Sequence, residues 1–221
     1  MRTFFREKHT WVIPIYFLFY LTAFRLLELR GSRGIHLIHT ELDDRIPFCE
    51  YFIVPYFLWF VYVAAAVAYF ALAENNVREY WRFMITLAAG MTMFLLVSWV
   101  FPNGHQLRPQ TLENENIFTQ LVEGLYRMDT STNIFPSIHV FNSLAVAAAV
   151  DRCTSLKKYR ILRKVSWILA ISIILSTMFL KQHSAVDVLG GIALYLILWK
   201  MVYGRKPRRT AAGVKVIRRL S

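Results

Sequence analysis

Residues 51–73 read YFIVPYFLWFVYVAAAVAYFALA. No charge interrupts the run, and no polar stripe recurs at helical spacing along it. A helix that crosses a bilayer needs about 20 mostly apolar residues. A soluble helical bundle would need a wet face, and this run offers none. It is therefore read as a membrane span. Working outward, further apolar segments lie at 11–28, 81–101, 136–150, 161–180 and 186–203, of which 136–150 is short. Trp11, Tyr51, Trp81, Trp99, Trp199 and Tyr203 stand near their ends, as in an interfacial aromatic belt. The expected fold is all-α, a polytopic six-transmembrane-helix bundle forming one domain over 1–205, followed by a basic cytoplasmic tail over 206–221.

The composition agrees. Of 221 residues, 56% are hydrophobic and 18% charged, and mean hydropathy is +0.39. Soluble domains carry about 25% charged residues. So much apolar and aromatic surface excludes a disordered chain. Two cysteines exclude a disulfide scaffold. The net charge of +12 sits between apolar runs and in the tail, where it reads as a topology signal and a contact for anionic lipid. No nucleic-acid motif accompanies it, and nucleic acid is not an expected partner.

The stretch after Phe24 lacks a small-x-small cleavage site, so the first segment is expected to remain as a span. Eighteen Lys and Arg fall in the N-terminal stretch, the 74–80 and 151–160 regions with their flanks, and the tail. Six fall in the other loops. The positive-inside rule then places both termini in the cytoplasm and the loop 102–133 outside. Cys49 falls outside and Cys153 inside, too far apart to pair in one chain. Within the long loop, Ile117 to Met128 is patterned as an amphipathic helix at the interface. Compactness and loop style point to a bacterial plasma membrane.

The polar residues gather on the outer side. Arg108-Pro109 lies in the long loop. Phe135-Pro136-Ser137-Ile138-His139 opens the fourth segment. Lys181-Gln182-His183-Ser184-Ala185-Val186-Asp187 opens the sixth. Each residue alone has a bland reading as a loop cation, a cap or a satisfied polar group. Ionisable groups at membrane depth are costly, and together they point to function. Pro136 in a first helical turn would leave the N–H groups of Ser137, Ile138 and His139 free for an anion. Arg108 offers a fork of donors for phosphate and Lys181 a point charge. Asp187, four residues after His183, would share its helix face and orient its ring. His183 is then a candidate nucleophile and His139 a candidate acid.

These three blocks resemble the type 2 phosphatidic acid phosphatase superfamily, with its K-x6-R-P, P-S-G-H and S-R-x5-H-x3-D signatures. Arg108-Pro109 matches the first, Pro136, Ser137 and His139 the second, and Ser176, His183 and Asp187 the third. The resemblance implies that His183 attacks phosphorus and forms a phosphohistidine, oriented by Asp187. It implies that His139 protonates the leaving alcohol, and that Arg108 and Ser137 bind phosphate oxygens. It implies no metal and no other cofactor. Phe101, Ile138 and Thr177 stand where the family has Lys, Gly and Arg, and Lys181 is the expected substitute for a missing cation. Phe135 to His139, Lys181-Gln182-His183 and Leu42 to Phe48 look more like the branch holding inositol-phosphorylceramide and sphingomyelin synthases.

The expected function is a membrane enzyme hydrolysing a lipid phosphomonoester or diphosphate on the non-cytoplasmic face. The expected partners are that lipid phosphate and the surrounding membrane lipids. A phosphotransferase with the same site and a non-catalytic lipid-binding or transport protein are the rivals. A zinc site using His36, His39 and His105 with the two site histidines fits no compact spacing. Gly190-Gly191 is read as a close-packing element. Asn142 and Ser143 are read as interhelical hydrogen-bonders. Arg25 and Glu28 are read as pairing with each other or with Asp43 and Asp44. Alkaline phosphatase fused within 102–133 should be active, and fused after 205 inactive; the opposite pattern would invert the orientation.

Overall fold

The computed structural model describes residues 10–31, 34–112 and 114–204. The cations Arg2, Arg6, Lys8 and Arg33 and the tail 206–221 lie outside the described residues.

The chain is mostly helical. Helix α1 spans Val12–Glu28 and the short α2 Glu41–Arg45. A 3-10 turn at Glu50–Phe52 leads into α3, Ile53–Ala68, which continues as a π-helical turn at Tyr69–Ala73. Then follow α4 (Val77–Val100), α5 (Ile117–Met128), α6 (Ile138–Arg152), α7 (Arg160–Phe179) and α8 (Ala185–Tyr203). A two-residue parallel pairing joins β1, His36–Leu37, to β2, Asn103–Gly104. Pro14 and Pro55 each fall in the first turn of their helix, where the missing N–H has no intrahelical acceptor.

Among the described residues, four segments are long and apolar enough to cross a membrane: Glu50–Ala73, Val77–Val100, Arg160–Phe179 and Ala185–Tyr203. The first and fourth expected segments are shorter, with 17 residues in α1 and 15 in α6. At 1.5 Å per residue, α6 is about 22 Å long, short of the ~30 Å hydrocarbon core. Its environment supplies the physical reason. Helix α6 packs against α3, α4, α7 and α8 and is buried on nearly all sides. It is a central post walled by longer helices, whose outward faces carry Phe60, Val61, Ile168, Leu189 and Ile197. An apolar exterior of this kind suits lipid.

Small residues let the post fit. The α6 run Ala147-Ala148-Ala149 is buried. At Gly90 of α4 an added Cβ would run into the Phe141 ring. At Gly191 of α8 it would lie 2.6 Å from the Ser137 carbonyl oxygen and 2.9 Å from Val140 Cβ. Gly191 thus sets the spacing between the starts of α6 and α8.

Helix α5 forms where the amphipathic pattern placed it. Asn116 caps it, accepting from Phe118 and Thr119 N–H. Its buried face, Thr119, Val122 and Leu125, packs on Ile53, Tyr56 and Leu180. Asn103 ties the preceding loop to the start of α6: its Oδ1 accepts from Ile134 and Phe135 N–H, each at 2.9 Å.

Three local expectations change. Asn142 Oδ1 and Ser143 Oγ are buried without a hydrogen-bond partner among the described residues. Glu28 does not pair with Arg25. It accepts from Thr130 and Thr132 hydroxyls and, at 2.7 Å, from Asn133 Nδ2, which brings the loop to the end of α1. Asp44 takes His39 as its partner at 2.8 Å.

Gly191→Ala should lower stability by about 1–3 kcal/mol, because the facing group is backbone and yields little. Gly124→Ala on α5, where a Cβ meets nothing within 4 Å, is the control. Unequal melting temperatures in detergent are expected, with only Gly191→Ala lowered; equal values would refute the packing argument.

Candidate active site

The three expected catalytic residues come together. His139 sits on the first turn of α6, His183 just before α8, and Asp187 on the first turn of α8. His139 Nδ1 lies 3.3 Å from His183 Nε2. On its other side His183 Nδ1 faces Asp187 Oδ2 at 3.5 Å, a loose contact. The order imidazole, imidazole, carboxylate gives each His183 nitrogen a distinct neighbour. With Nδ1–H turned to Asp187, the Nε2 lone pair accepts from His139 Nδ1–H.

The local sequence explains this convergence. Helix α7 ends at Phe179, and its last turn closes when Thr177 O accepts from both Gln182 N–H and His183 N–H. Lys181 adopts φ 51, a left-handed position normally suited to glycine. That conformation costs about 1–2 kcal/mol for a residue with a Cβ. Lys181 Nζ donates to the backbone carbonyls of Asp43 and Ile46, which helps to hold it. Ser184 then caps α8: its Oγ accepts from Val186 N–H, and Asp187 Oδ2 accepts from Ser184 N–H at 2.8 Å. This capping box fixes the Asp187 carboxylate beside the His183 ring.

Helix α6 begins at Ile138, not at Pro136. Ser137 is its cap, with Oγ accepting from Val140 N–H, and Pro136 precedes it after a cis Phe135–Pro136 bond. The expected set of free N–H groups is correspondingly smaller. Ser137 N–H donates to the Asp187 carbonyl oxygen at 3.0 Å. The same bond ties the start of α6 to the start of α8.

Aromatic rings hold His139 from behind. The Trp59 ring centroid lies 4.3 Å from that of His139, and the Tyr56 centroid 4.8 Å. Tyr56 OH donates to Asp129 Oδ2 at 3.0 Å. Nothing in the apolar run 51–73 marked these two residues.

Arg108 lies beside Gln182. It donates to the carbonyls of Tyr126, Asp129 and Thr130 and to Gln182 Oε1, and its guanidinium stacks 4.6 Å above the Tyr126 ring. Burial lowers its pKa. His105 is buried and bonded to the Gln182 carbonyl. His36 stacks on Phe101. Neither His36 nor His39 joins the site.

The sequence reads Asp43 as structural, and the structure brings it against Ser184 and Ala185, beside His183. It is 2% exposed. Its Oδ2 accepts from Ser184 Oγ at 2.6 Å and from Thr40 N–H at 2.8 Å, and its Oδ1 from Ala185 N–H at 2.8 Å. Burial pushes its pKa up, but donors from Ser184, Ala185 and Thr40 outweigh this and hold it below its ordinary 3.8. The signal available in the sequence was the stretch Leu42 to Phe48.

At the opposite end of the bundle, Glu74, Glu79 and Cys153 place one ligand atom each within 4.8 Å of one another. Cys153 Sγ donates to Glu74, and Thr154 N–H donates to Glu79. Burial and Glu74 push the Cys153 thiol up to about 12, so it stays protonated.

A family model described as the PAP2 superfamily matches residues 37–201. No curated protein and no solved structure matches the chain.

Asp43→Asn removes the charge and turns an amide N–H₂ toward donors. Leaving such groups unpaired costs about 1–3 kcal/mol. A carboxyl with a depressed folded pKa contributes stability above its unfolded value and loses it as pH falls through the folded value. The variant should melt lower than wild type at pH 7, and the gap should close as pH drops below 3.8. A gap independent of pH would count against a charged clamp.

Proposed function

The chain belongs to the PAP2 superfamily, and on that premise we propose that it is a six-span membrane enzyme hydrolysing a lipid phosphomonoester or diphosphate through a phosphohistidine at His183. The observation that carries this reading is the line His139 Nδ1, His183 Nε2, His183 Nδ1, Asp187 Oδ2, at 3.3 and 3.5 Å.

Asp187 keeps the proton on His183 Nδ1 and leaves the Nε2 lone pair as nucleophile. Substrate enters between the two imidazoles, and the phosphoryl group takes the place of their hydrogen bond. Nε2 attacks phosphorus, the bond from phosphorus to the lipid oxygen breaks, and His139 Nδ1–H protonates the departing alkoxide. Water then gives its proton to His139 Nδ1 and attacks phosphorus. The P–N bond breaks, phosphate leaves and His183 is restored. Arg108, Ser137 and Lys181 are the candidate phosphate-binding residues, and no metal enters the scheme. The positive-inside count supports a non-cytoplasmic active face, in a bacterial plasma membrane. Apolar helix faces around the site support lateral entry of lipid from the bilayer.

A second reading has its own observation. Two of the three Lys181 donors lie on backbone carbonyls. Phe101 and Thr177 occupy positions where the family carries cations. A site with so few free cations suits a singly charged phosphodiester better than a dianionic monoester. An alcohol would then replace water in the second step, and the enzyme would be a lipid phosphotransferase.

Purified protein should release phosphate from a panel of lipid phosphates with chelator present and no alcohol acceptor, and His183→Ala should abolish release. Release that survives in His183→Ala would overturn the mechanism. No release without acceptor, followed by headgroup transfer when an alcohol is supplied, would select the transferase. No turnover in either assay would leave lipid binding as the function.

A further inference from the structure

We propose that the side-chain amide of Gln182 binds a phosphate oxygen of the substrate, a role that rests on the phosphoryl-transfer reading above. Gln182 immediately precedes His183 and is 3% exposed. Three bonds fix it. Its N–H donates to Thr177 O at 2.9 Å. Its carbonyl oxygen accepts from His105 Nε2 at 2.9 Å. Its Oε1 accepts from Arg108 at 2.5 Å.

The chemistry of the partners assigns every proton. A guanidinium only donates, so the atom facing Arg108 is the amide oxygen and the N–H₂ is the free end. Leu107 N–H donates to His105 Nδ1 at 3.1 Å. That nitrogen is therefore an acceptor, and the His105 proton lies on Nε2, toward Gln182. Burial first, then His183 and Arg108, lower the His105 pKa to about 3, so the ring stays neutral at physiological pH.

What remains is a buried donor with nothing to donate to. Gln182 Nε2 has no hydrogen-bond partner among the described residues, and neither has Arg108 Nε. A buried unpaired donor is costly, and native structures pair the great majority of such groups. Two orphaned donors on adjoining side chains, next to a nucleophilic imidazole, are arranged for an acceptor that comes and goes. A phosphate oxygen is such an acceptor. The other Arg108 donors lie on carbonyls of Tyr126, Asp129 and Thr130, and Lys181 is anchored on Asp43 and Ile46. Gln182 therefore supplies a directed hydrogen bond where the family signature would supply a cation.

Orthovanadate, a phosphate mimic, tests this by titration calorimetry on the full chain in lipid nanodiscs. Wild type should bind it and His183→Ala should not. One hydrogen bond to a charged group contributes about 1.5–3 kcal/mol, roughly a 10- to 100-fold rise in Kd for Gln182→Leu. Gln182→Glu keeps an acceptor for Arg108 but loses the donor and adds a like charge, so its Kd should rise at least as much. Undiminished vanadate binding by Gln182→Glu, despite the lost donor and the added like charge, overturns the proposal even where Gln182→Leu fails to fold. If wild type binds no vanadate, the phosphoryl-transfer reading falls and the role of Gln182 falls with it. If wild type binds and His183→Ala does not, while Gln182→Glu is undiminished, only the Gln182 role is lost.

Discussion

The Asp43 carboxylate decides where His183 points. The turn 180–184 joins two long helices and has no regular structure of its own to hold it. Its backbone and hydroxyl donors need acceptors, because a buried helix start leaves several N–H groups without intrahelical partners. Asp43 takes Ser184 Oγ and Ala185 N–H, while its own carbonyl takes Lys181 Nζ. The turn is thus gripped on both sides of His183 by one residue from a five-residue helix far away in sequence. A carboxylate is a costly choice in a buried place unless its oxygens are filled. Here four donors fill them, and charge-assisted bonds are the strong kind.

A second constraint brings the other histidine to meet it. Helix α6 is short, alanine-rich and enclosed, so its position is set by packing on all sides. Gly191 brings the α8 backbone against the Ser137 carbonyl, and Ser137 N–H bonds back to the Asp187 carbonyl. These contacts link the elements that carry His139 and Asp187 directly, with no flexible side chain between them. The 3.3 Å approach of the two imidazoles follows from backbone geometry. Trp59 and Tyr56 close the remaining side of the His139 ring.

Much of this was legible in the sequence, for definable reasons. Long apolar runs marked the helices, since helical periodicity and hydropathy are local properties. The i, i+4 spacing placed Asp187 beside His183 for the same reason. Helix α6 is as short as the run 136–150 reads, and an enclosed helix does not need to match the bilayer. Its start was misplaced by two residues, since Pro136 and Ser137 each suit a helix start and only the backbone decides between them. Asp43, His105 and Gln182 act through long-range bonds, and no local pattern encodes a partner 142 positions away. Tyr56 and Trp59 were invisible for the opposite reason: in a run where every residue is apolar, two that face a histidine look like all the rest.

The arrangement of charge also has a logic that a residue inventory misses. Arg108 and Lys181 have most of their donors on backbone carbonyls, which suggests at first that neither serves the phosphate. Carbonyls are dipoles, however, and carry no net charge. Asp129 lies close enough to offset part of the Arg108 charge, while burial of the guanidinium strengthens its interaction with any neighbouring anion relative to water. Lys181 likewise has Asp43 and Asp44 close enough to offset it. Attraction of an anion and the direction of its hydrogen bonds can thus come from different groups. On the phosphoryl-transfer reading, Arg108 would supply the charge from its stacked position over Tyr126, and neighbouring neutral donors would direct the bonds to each oxygen. On that reading the neutral donors would share the work of the cations that Phe101 and Thr177 replace.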